Sequence, residues 1–171
     1  YEVTMSTLKV DTIQGKTTAG TVAMPAGHII QVVSFDRVGS ESASVSTIIT
    51  LSSNSFSDVM SKTITTKLAN SKIFLSMDIV AYSGASTQRV MTKVLRDSTV
   101  INGDEYGVYG SQSVMYNYLF SMIDSPSASA GTTLTYKLQA GKHSGAGNVA
   151  FGYGDSSGGS NANITLMEIA Q

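Results

Sequence analysis

The stretch KIFLSMDIVAY, residues 72–82, decides the fold class. Its residues alternate with a period of two, which is the period of an extended chain. One side of the stretch is wholly apolar and consists of Ile73, Leu75, Met77, Ile79 and Ala81. The other side mixes Phe74, Val80 and Tyr82 with Ser76 and Asp78. This pattern predicts a central β-strand.

The same period recurs along the chain. Residues 132–140 place Leu134, Tyr136 and Leu138 on one side and polar residues on the other, as in a strand with one face in water. Further strands are predicted at 28–37, 45–51, 59–68, 88–96, 113–124, 148–153 and 163–169. Turn-forming residues separate them at 39–40, 52–54, 83–84, 102–104, 127–131, 141–147 and 154–161.

These strands predict an all-β fold. Both prolines, Pro25 and Pro126, fall between strands and remove no ladder hydrogen bond. In residues 113–124, a repeat of four through Val114, Tyr118 and Met122 would also fit a helix, but the tyrosine and valine content favours a strand. We therefore predict an antiparallel two-sheet sandwich, jelly-roll-like, with a short extended N-terminal segment.

Composition excludes several classes of function. The chain has no cysteine, so disulfides and thiolate metal sites are excluded. Eleven basic and twelve acidic residues give a net charge of −1 without a basic cluster, which argues against nucleic acid as a partner. No apolar run reaches the ~20 residues that cross a bilayer, so we predict no membrane insertion.

The sequence offers no recognisable catalytic, metal or cofactor site. The two histidines, His28 and His143, lack nearby partners of metal-ligand or acid–base spacing. The glycine-rich stretch 152–159 lacks a phosphate-binding lysine, and its Asp155 has no neighbouring carboxylate. We predict that the protein is not an enzyme and uses no cofactor.

The first 25 residues differ from the remainder. Leu8, Val10 and Ile13 are scattered through a polar segment that has too few apolar residues for a core of its own. We predict that residues 1–25 are an attachment or oligomerisation segment, which gains order by packing on another copy of the chain or on the next protein of an assembly, and that residues 26–171 form the sandwich. A mobile terminal arm is the alternative.

Two predicted strands are apolar on both sides. In the first, Ile29 and Val33 oppose Ile30 and Val32. In residues 113–124, Tyr116, Tyr118, Phe120 and Met122 oppose Met115, Leu119 and Ile123. A sandwich strand buries only one face against the other sheet, so the surplus apolar surface predicts contact with other subunits. Cover from the chain's own loops is the alternative.

Aromatic and polar residues beside glycines suggest where a ligand would bind. Tyrosine rings pack on the apolar faces of sugars while small polar groups bond hydroxyls. The candidate receptor-binding residues are Tyr106, Tyr109, Lys142, His143, Tyr153 and Asp155. Equally, tyrosines at strand ends bury their rings and leave the hydroxyl in water.

Four stretches resemble tail-fibre-like and appendage proteins of marine and cyanobacterial bacteriophages. They are LKVDTIQGKT (8–17), VLRDST (94–99), DSPSAS with TTLTYKLQ (124–139) and ITLMEIA (164–170). The resemblance implies a trimeric β-sandwich tip or knob, attached to another virion protein by its N-terminal segment. These stretches are typical of strands and turns, so the resemblance indicates the architecture with better support than it indicates a receptor.

The sequence thus predicts a structural protein of a virion, on the tail or the capsid surface. The leading interpretation is a tail fibre or appendage, a homo-oligomer and by resemblance a trimer, that displays loops to host-surface polysaccharide. The alternative is a capsid or tail decoration or connector protein with a purely architectural role and no receptor.

Overall fold

A computed structural model describes residues 25–36, 49–51, 55–83, 88–110, 114–144, 149–151 and 162–171. The described residues confirm the all-β prediction, and no helix among them is long and apolar enough to cross a membrane. The strands are β1 (Ile29–Asp36), β2 (Ile49–Leu51), β3 (Phe56–Thr65), β4 (Lys72–Ser83), β5 (Gln88–Arg96), β6 (Thr99–Gly110), β7 (Val114–Asp124), β8 (Thr133–Ser144), β9 (Val149–Phe151) and β10 (Ala162–Ile169).

The strands form two antiparallel sheets that pack as a sandwich. The long strands of sheet one have the order β1-β10-β4-β7, and the three-residue strands β9 and β2 extend it beside the end of β4. Sheet two has the order β3-β8-β5-β6. Among the long strands, β1 therefore pairs with β10, β3 with β8, β4 with β7 and β5 with β6. This nested pairing is a long antiparallel ribbon folded over on itself, which is a jelly roll.

The core lies between the sheets and is supplied by alternate residues of each long strand. In sheet one, Ile73, Leu75 and Ile79 of β4 have no exposed surface. Tyr136 and Leu138 of β8 meet them from sheet two and are equally buried. Full burial of such side chains stabilises the fold by about 1.5–3 kcal/mol each. The alternation read in residues 72–82 is therefore confirmed.

Residues 114–124 form a strand, as predicted for 113–124, rather than a helix. Its full length pairs with β4, from Ile73 opposite Asp124 to Ser83 opposite Val114. Burial of Tyr118, Phe120 and Met122 against the core rewards the extended conformation. The sequence period of this segment fits a helix or a strand, and its pairing with β4 determines that it is a strand.

The predicted turn at 102–104 is wrong, because strand β6 runs through it. Gly103 lies opposite Lys93, and a Cβ atom at this position would lie 2.6 Å from the Lys93 Cβ atom. The glycine permits a close approach between two strands whose register shifts repeatedly. The actual turn is at 97–98, where Asp97 adopts a φ of 55° and its amide donates to the Thr135 carbonyl at 2.7 Å.

The predicted turn at 141–147 is wrong in its first part, because β8 continues to Ser144. Gly141 again marks a close backbone approach, since a Cβ atom there would lie 2.7 Å from the Ser55 carbonyl oxygen. Lys142 and His143, predicted in a loop, are therefore strand residues. Residues 145–148 lie outside the described part of the chain.

Candidate assembly surface and polar clusters

The outer surface of sheet one carries a row of apolar side chains across its four long strands. Val32 pairs with Met167, Met167 with Phe74, and Phe74 with Ile123. Val32 and Ile123 are 52% and 56% exposed, and the two residues between them are half-buried. With strands about 4.8 Å apart, the row is about 14 Å long. We call these four residues the apolar row.

A row of small polar residues runs beside the apolar row. Ser34 pairs with Thr165, Thr165 with Ser76, and Ser76 with Ser121. We call these four residues the small-residue row. Because their side chains are short, the outer surface of sheet one has a ridge next to a shallow groove.

Two opposite charges on β4 flank the two rows on the same surface. Lys72 lies beyond the apolar row and Asp78 beyond the small-residue row, both on the outward side of the strand. No hydrogen bond or ion pair joins either side chain to another residue in the described ranges. Leu119, opposite Asp78, is 71% exposed.

The described side chains on the outer surface of sheet two are mostly polar, and several of them pair with one another. Asp58 accepts hydrogen bonds from Lys137 at 3.3 Å and from Gln139 at 2.5 Å. Thr65 and Thr133 share a hydrogen bond of 3.0 Å. The Lys93 ammonium lies 4.0 Å from the centre of the Phe56 ring. Its one exposed large apolar side chain among the described residues is Val100, at 49%.

The apolar surplus predicted for the 113–124 strand is confirmed in the described residues. Leu119 and Ile123 of β7 point away from the core and are exposed. In β1 the predicted grouping is wrong, because a register irregularity between Ile29 and Gln31 turns Ile29 to the outer side with Val32. Val33 packs against the core, as an inward residue.

Glu168 is a buried carboxylate that was not predicted from the sequence. It has no exposed surface and accepts hydrogen bonds from the amides of Lys67 and Leu68 at 2.9 Å, from Ser71 at 2.7 Å and from Gln31 at 2.6 Å. Burial by itself raises the pKa of Glu168, but these donors outweigh it and hold that pKa below its ordinary value. The carboxylate fixes the β3–β4 connection to β10. In the sequence, Glu168 falls on the same side of the alternating strand as Ile164 and Leu166, and this position was the one indication that its side chain points inward.

A second polar cluster joins the two sheets. Asp124 of β7 accepts two hydrogen bonds from Arg96 of β5, at 2.8 and 2.7 Å, and one from the Tyr136 hydroxyl of β8 at 2.7 Å. Burial, together with the negative charge of Asp124, raises the pKa of Tyr136 well above its ordinary value. Asp124 is thus buried with both charged and neutral hydrogen-bond partners, and it joins β7 of sheet one to β5 and β8 of sheet two.

The structure brings some of the predicted receptor-binding residues to one region. Tyr106 and Tyr109 lie in β6 rather than in a loop, and Lys142 and His143 lie in β8. Strand β5 separates them, with Met91 between Tyr106 and Gly141 and Arg89 between Tyr109 and Ser144. The two strands are about 10 Å apart. The side chains of Tyr106, Tyr109 and His143 lie outside the described part.

The other predicted site residues are not described by the structure. Tyr153 and Asp155, and the attachment residues Leu8, Val10 and Ile13, lie outside the described residues. Their roles stay predictions. Within the described ranges, no group of three or more histidine, aspartate or glutamate side chains is placed to hold a metal ion.

No protein-family model matches the chain, and no curated protein matches it by sequence. The resemblance to bacteriophage appendage proteins therefore stays a prediction.

Solved structures of viral particles match in fold. The structure of T=1 particles derived from infectious bursal virus aligns over 93% of this chain and 41% of its own, with a TM-score of 0.50 and 7% identity. The VP2 subviral particle of infectious bursal disease virus aligns over 92% of this chain and 46% of its own, with a TM-score of 0.48 and 8% identity. The chain thus spans less than half the length of these structures, and at such identity the similarity to the T=1 particles concerns the fold alone.

Proposed function

We propose that the protein is a structural component of a virion, a jelly-roll subunit of the capsid or of a decoration on it, and that its role is architectural. The observation that carries this proposal is the apolar row on the outer surface of sheet one. A subunit with one polar and one apolar outer surface is suited to stand between water and a neighbouring subunit. The jelly-roll strand order and its likeness to a particle-forming viral protein support the same role.

The polar clusters also favour an architectural role over a chemical one. Glu168 and Asp124 are occupied by hydrogen bonds that tie strands and connections together. Groups so occupied contribute to the stability of the fold. Homo-oligomerisation is part of this proposal, because an apolar outer surface has to be covered.

Particle composition and stability test the proposal. In particles purified from cells that make this protein, quantitative mass spectrometry is expected to find the chain in a fixed, high copy number. Particles that lack it are expected to lose integrity at lower temperature while adsorbing normally to host cells. Absence from purified particles would overturn the proposal.

A second candidate is a trimeric fibre or appendage protein that binds host-surface polysaccharide. In this hypothesis residues 1–25 attach it to another virion protein through Leu8, Val10 and Ile13. The observation that favours it is that Tyr106 and Tyr109 of β6 and Lys142 and His143 of β8 lie at nearby register positions on either side of β5. Tyr153 and Asp155 would complete the binding surface.

Adsorption of particles to host cells separates the two candidates. Particles that carry Tyr106→Ala with Tyr109→Ala are expected to adsorb normally if the role is architectural. Loss of adsorption with unchanged thermal stability of the particles would favour receptor binding instead. A matched variant, Tyr82→Ala, changes a half-buried tyrosine of sheet one and controls for general loss of aromatic side chains.

A further inference from the structure

We propose that two copies of the chain pair face to face through the outer surface of sheet one, about a two-fold axis that crosses the strands at Leu75. This inference rests on the proposed architectural function and names the partner that covers the apolar row. The contact would be isologous, with the same surface contributed by both copies.

The register of sheet one makes this surface complementary to itself. Val33, Leu166, Leu75 and Met122 lie in one line across the four long strands. The apolar row lies one residue to one side of this line on every strand, and the small-residue row lies one residue to the other side. A two-fold axis along the line therefore places the ridge of each copy in the groove of the other. When two sheets stack, large side chains of one sheet fill the space above small side chains of the other.

The charges on β4 obey the same symmetry. Lys72 and Asp78 lie three residues to either side of Leu75, both on the outward side. Six residues of strand separate them by about 20 Å, too far for a direct ion pair within one chain. The two-fold axis brings Lys72 of each copy to Asp78 of the other, so that one operation satisfies both charges twice. Opposite charges placed in this way fix the register of an interface.

Among the side chains that the structure describes, sheet two presents no comparable surface. Its Asp58 already has Lys137 and Gln139 as partners, and its Lys93 lies over Phe56. Four of the six exposed large apolar side chains in the described ranges lie instead on sheet one, at Ile29, Val32, Leu119 and Ile123. A surface with both an apolar surplus and unpaired, symmetrically placed charges is best covered by its own copy.

Charge reversal tests the pairing in the full chain. Sedimentation velocity from low to high micromolar concentration is expected to show a dimer. Lys72→Glu alone, or Asp78→Lys alone, places like charges together twice and is expected to raise the dissociation constant at least about tenfold, which equals 1.4 kcal/mol. The double variant Lys72→Glu with Asp78→Lys exchanges the charges and is expected to restore the wild-type dissociation constant to within about threefold.

A matched pair of valines tests the apolar row. Val32 and Val100 are 52% and 49% exposed, on sheet one and sheet two respectively. Val32→Glu is expected to raise the dissociation constant at least about tenfold, whereas Val100→Glu is expected to leave it within about twofold. Circular dichroism at each concentration verifies that the variants keep their β-structure.

Four outcomes would overturn the pairing. The first is a monomer at every concentration, and the second is a failure of the exchanged charges to restore association. The third is an oligomer of another order that ignores these substitutions, which leaves the architectural function intact because particle composition tests that function separately. If deleting residues 1–24 turns a monomer into a dimer, those residues cover the surface in the intact chain and the pairing is equally overturned.

Discussion

Sheet one and sheet two distribute polar and apolar groups in opposite ways. Sheet one buries the carboxylate of Glu168 completely and exposes Val32 and Ile123 by more than half. Sheet two keeps Asp58 and Lys137 on its outer surface, where they pair with each other. This difference supports the proposal that the outer surface of sheet one faces a protein neighbour, whereas the described outer surface of sheet two faces water.

The largest effect is expected from the buried carboxylate of sheet one. Glu168→Ala leaves the amides of Lys67 and Leu68 without an acceptor in a site closed to water. We expect a loss of about 3 kcal/mol in the free energy of unfolding. Urea denaturation at neutral pH measures it. A loss below about 1 kcal/mol would mean that water reaches these donors, and the contrast between the sheets would fail.

A smaller effect is expected from pH. Because folding lowers the pKa of Glu168, its contribution to stability is present at neutral pH and is lost as the pH falls below the ordinary glutamate value of about 4.3 toward the folded value. In that window wild type is expected to lose up to about 1.4 kcal/mol more per pH unit than Glu168→Gln.

Urea denaturation at a series of acidic pH values gives both slopes. Glu168→Gln serves as the control because it keeps the size of the side chain but cannot titrate. Equal slopes for wild type and the variant would contradict the assignment of this acid sensitivity to Glu168.

The smallest effect is expected on sheet two. Asp58→Ala removes the ion pair between Asp58 and Lys137. The Asp58 side chain is 50% exposed and the Lys137 side chain 31%. Solvent screening leaves such pairs worth only about 0.5 kcal/mol, so the midpoint of thermal unfolding should shift by a few degrees at most. Differential scanning calorimetry at low and high salt measures this, and a loss as large as that of Glu168→Ala would erase the distinction between the two sheets.

Most strands could be predicted from local pattern alone, although β6 (Thr99–Gly110) was not predicted and β3 begins and ends three residues before its predicted bounds. The observed bounds of β5 are those predicted, and β4 differs from its prediction by one residue. Alternation survives in β10 as well, where Ile164 and Leu166 are buried and Thr165 and Met167 are half-buried. Period-two burial is a local property, because successive side chains of any strand point to opposite sides.

Two turns were predicted wrongly because a glycine in the sequence fits either a turn or a close approach between strands. Asn102-Gly103-Asp104 has turn composition, yet Gly103 sits inside β6 because Lys93 of the neighbouring strand approaches it closely. Gly141 was also predicted in a turn, but it lies inside β8, where the Ser55 carbonyl oxygen approaches it closely. The residue type is the same for a turn and for a close approach, and only the position of the neighbouring chain separates them.

Local sequence pattern was enough to establish that this chain is a β-sandwich and that the strand at 114–124 is apolar on both sides. Tertiary structure alone decided that β1 pairs with β10 and β4 with β7, and hence that Val32, Met167, Phe74 and Ile123 form one row. The physical reason is that alternation is fixed within each strand, whereas register joins residues far apart in the chain. Such contacts depend on the packing of the whole sandwich.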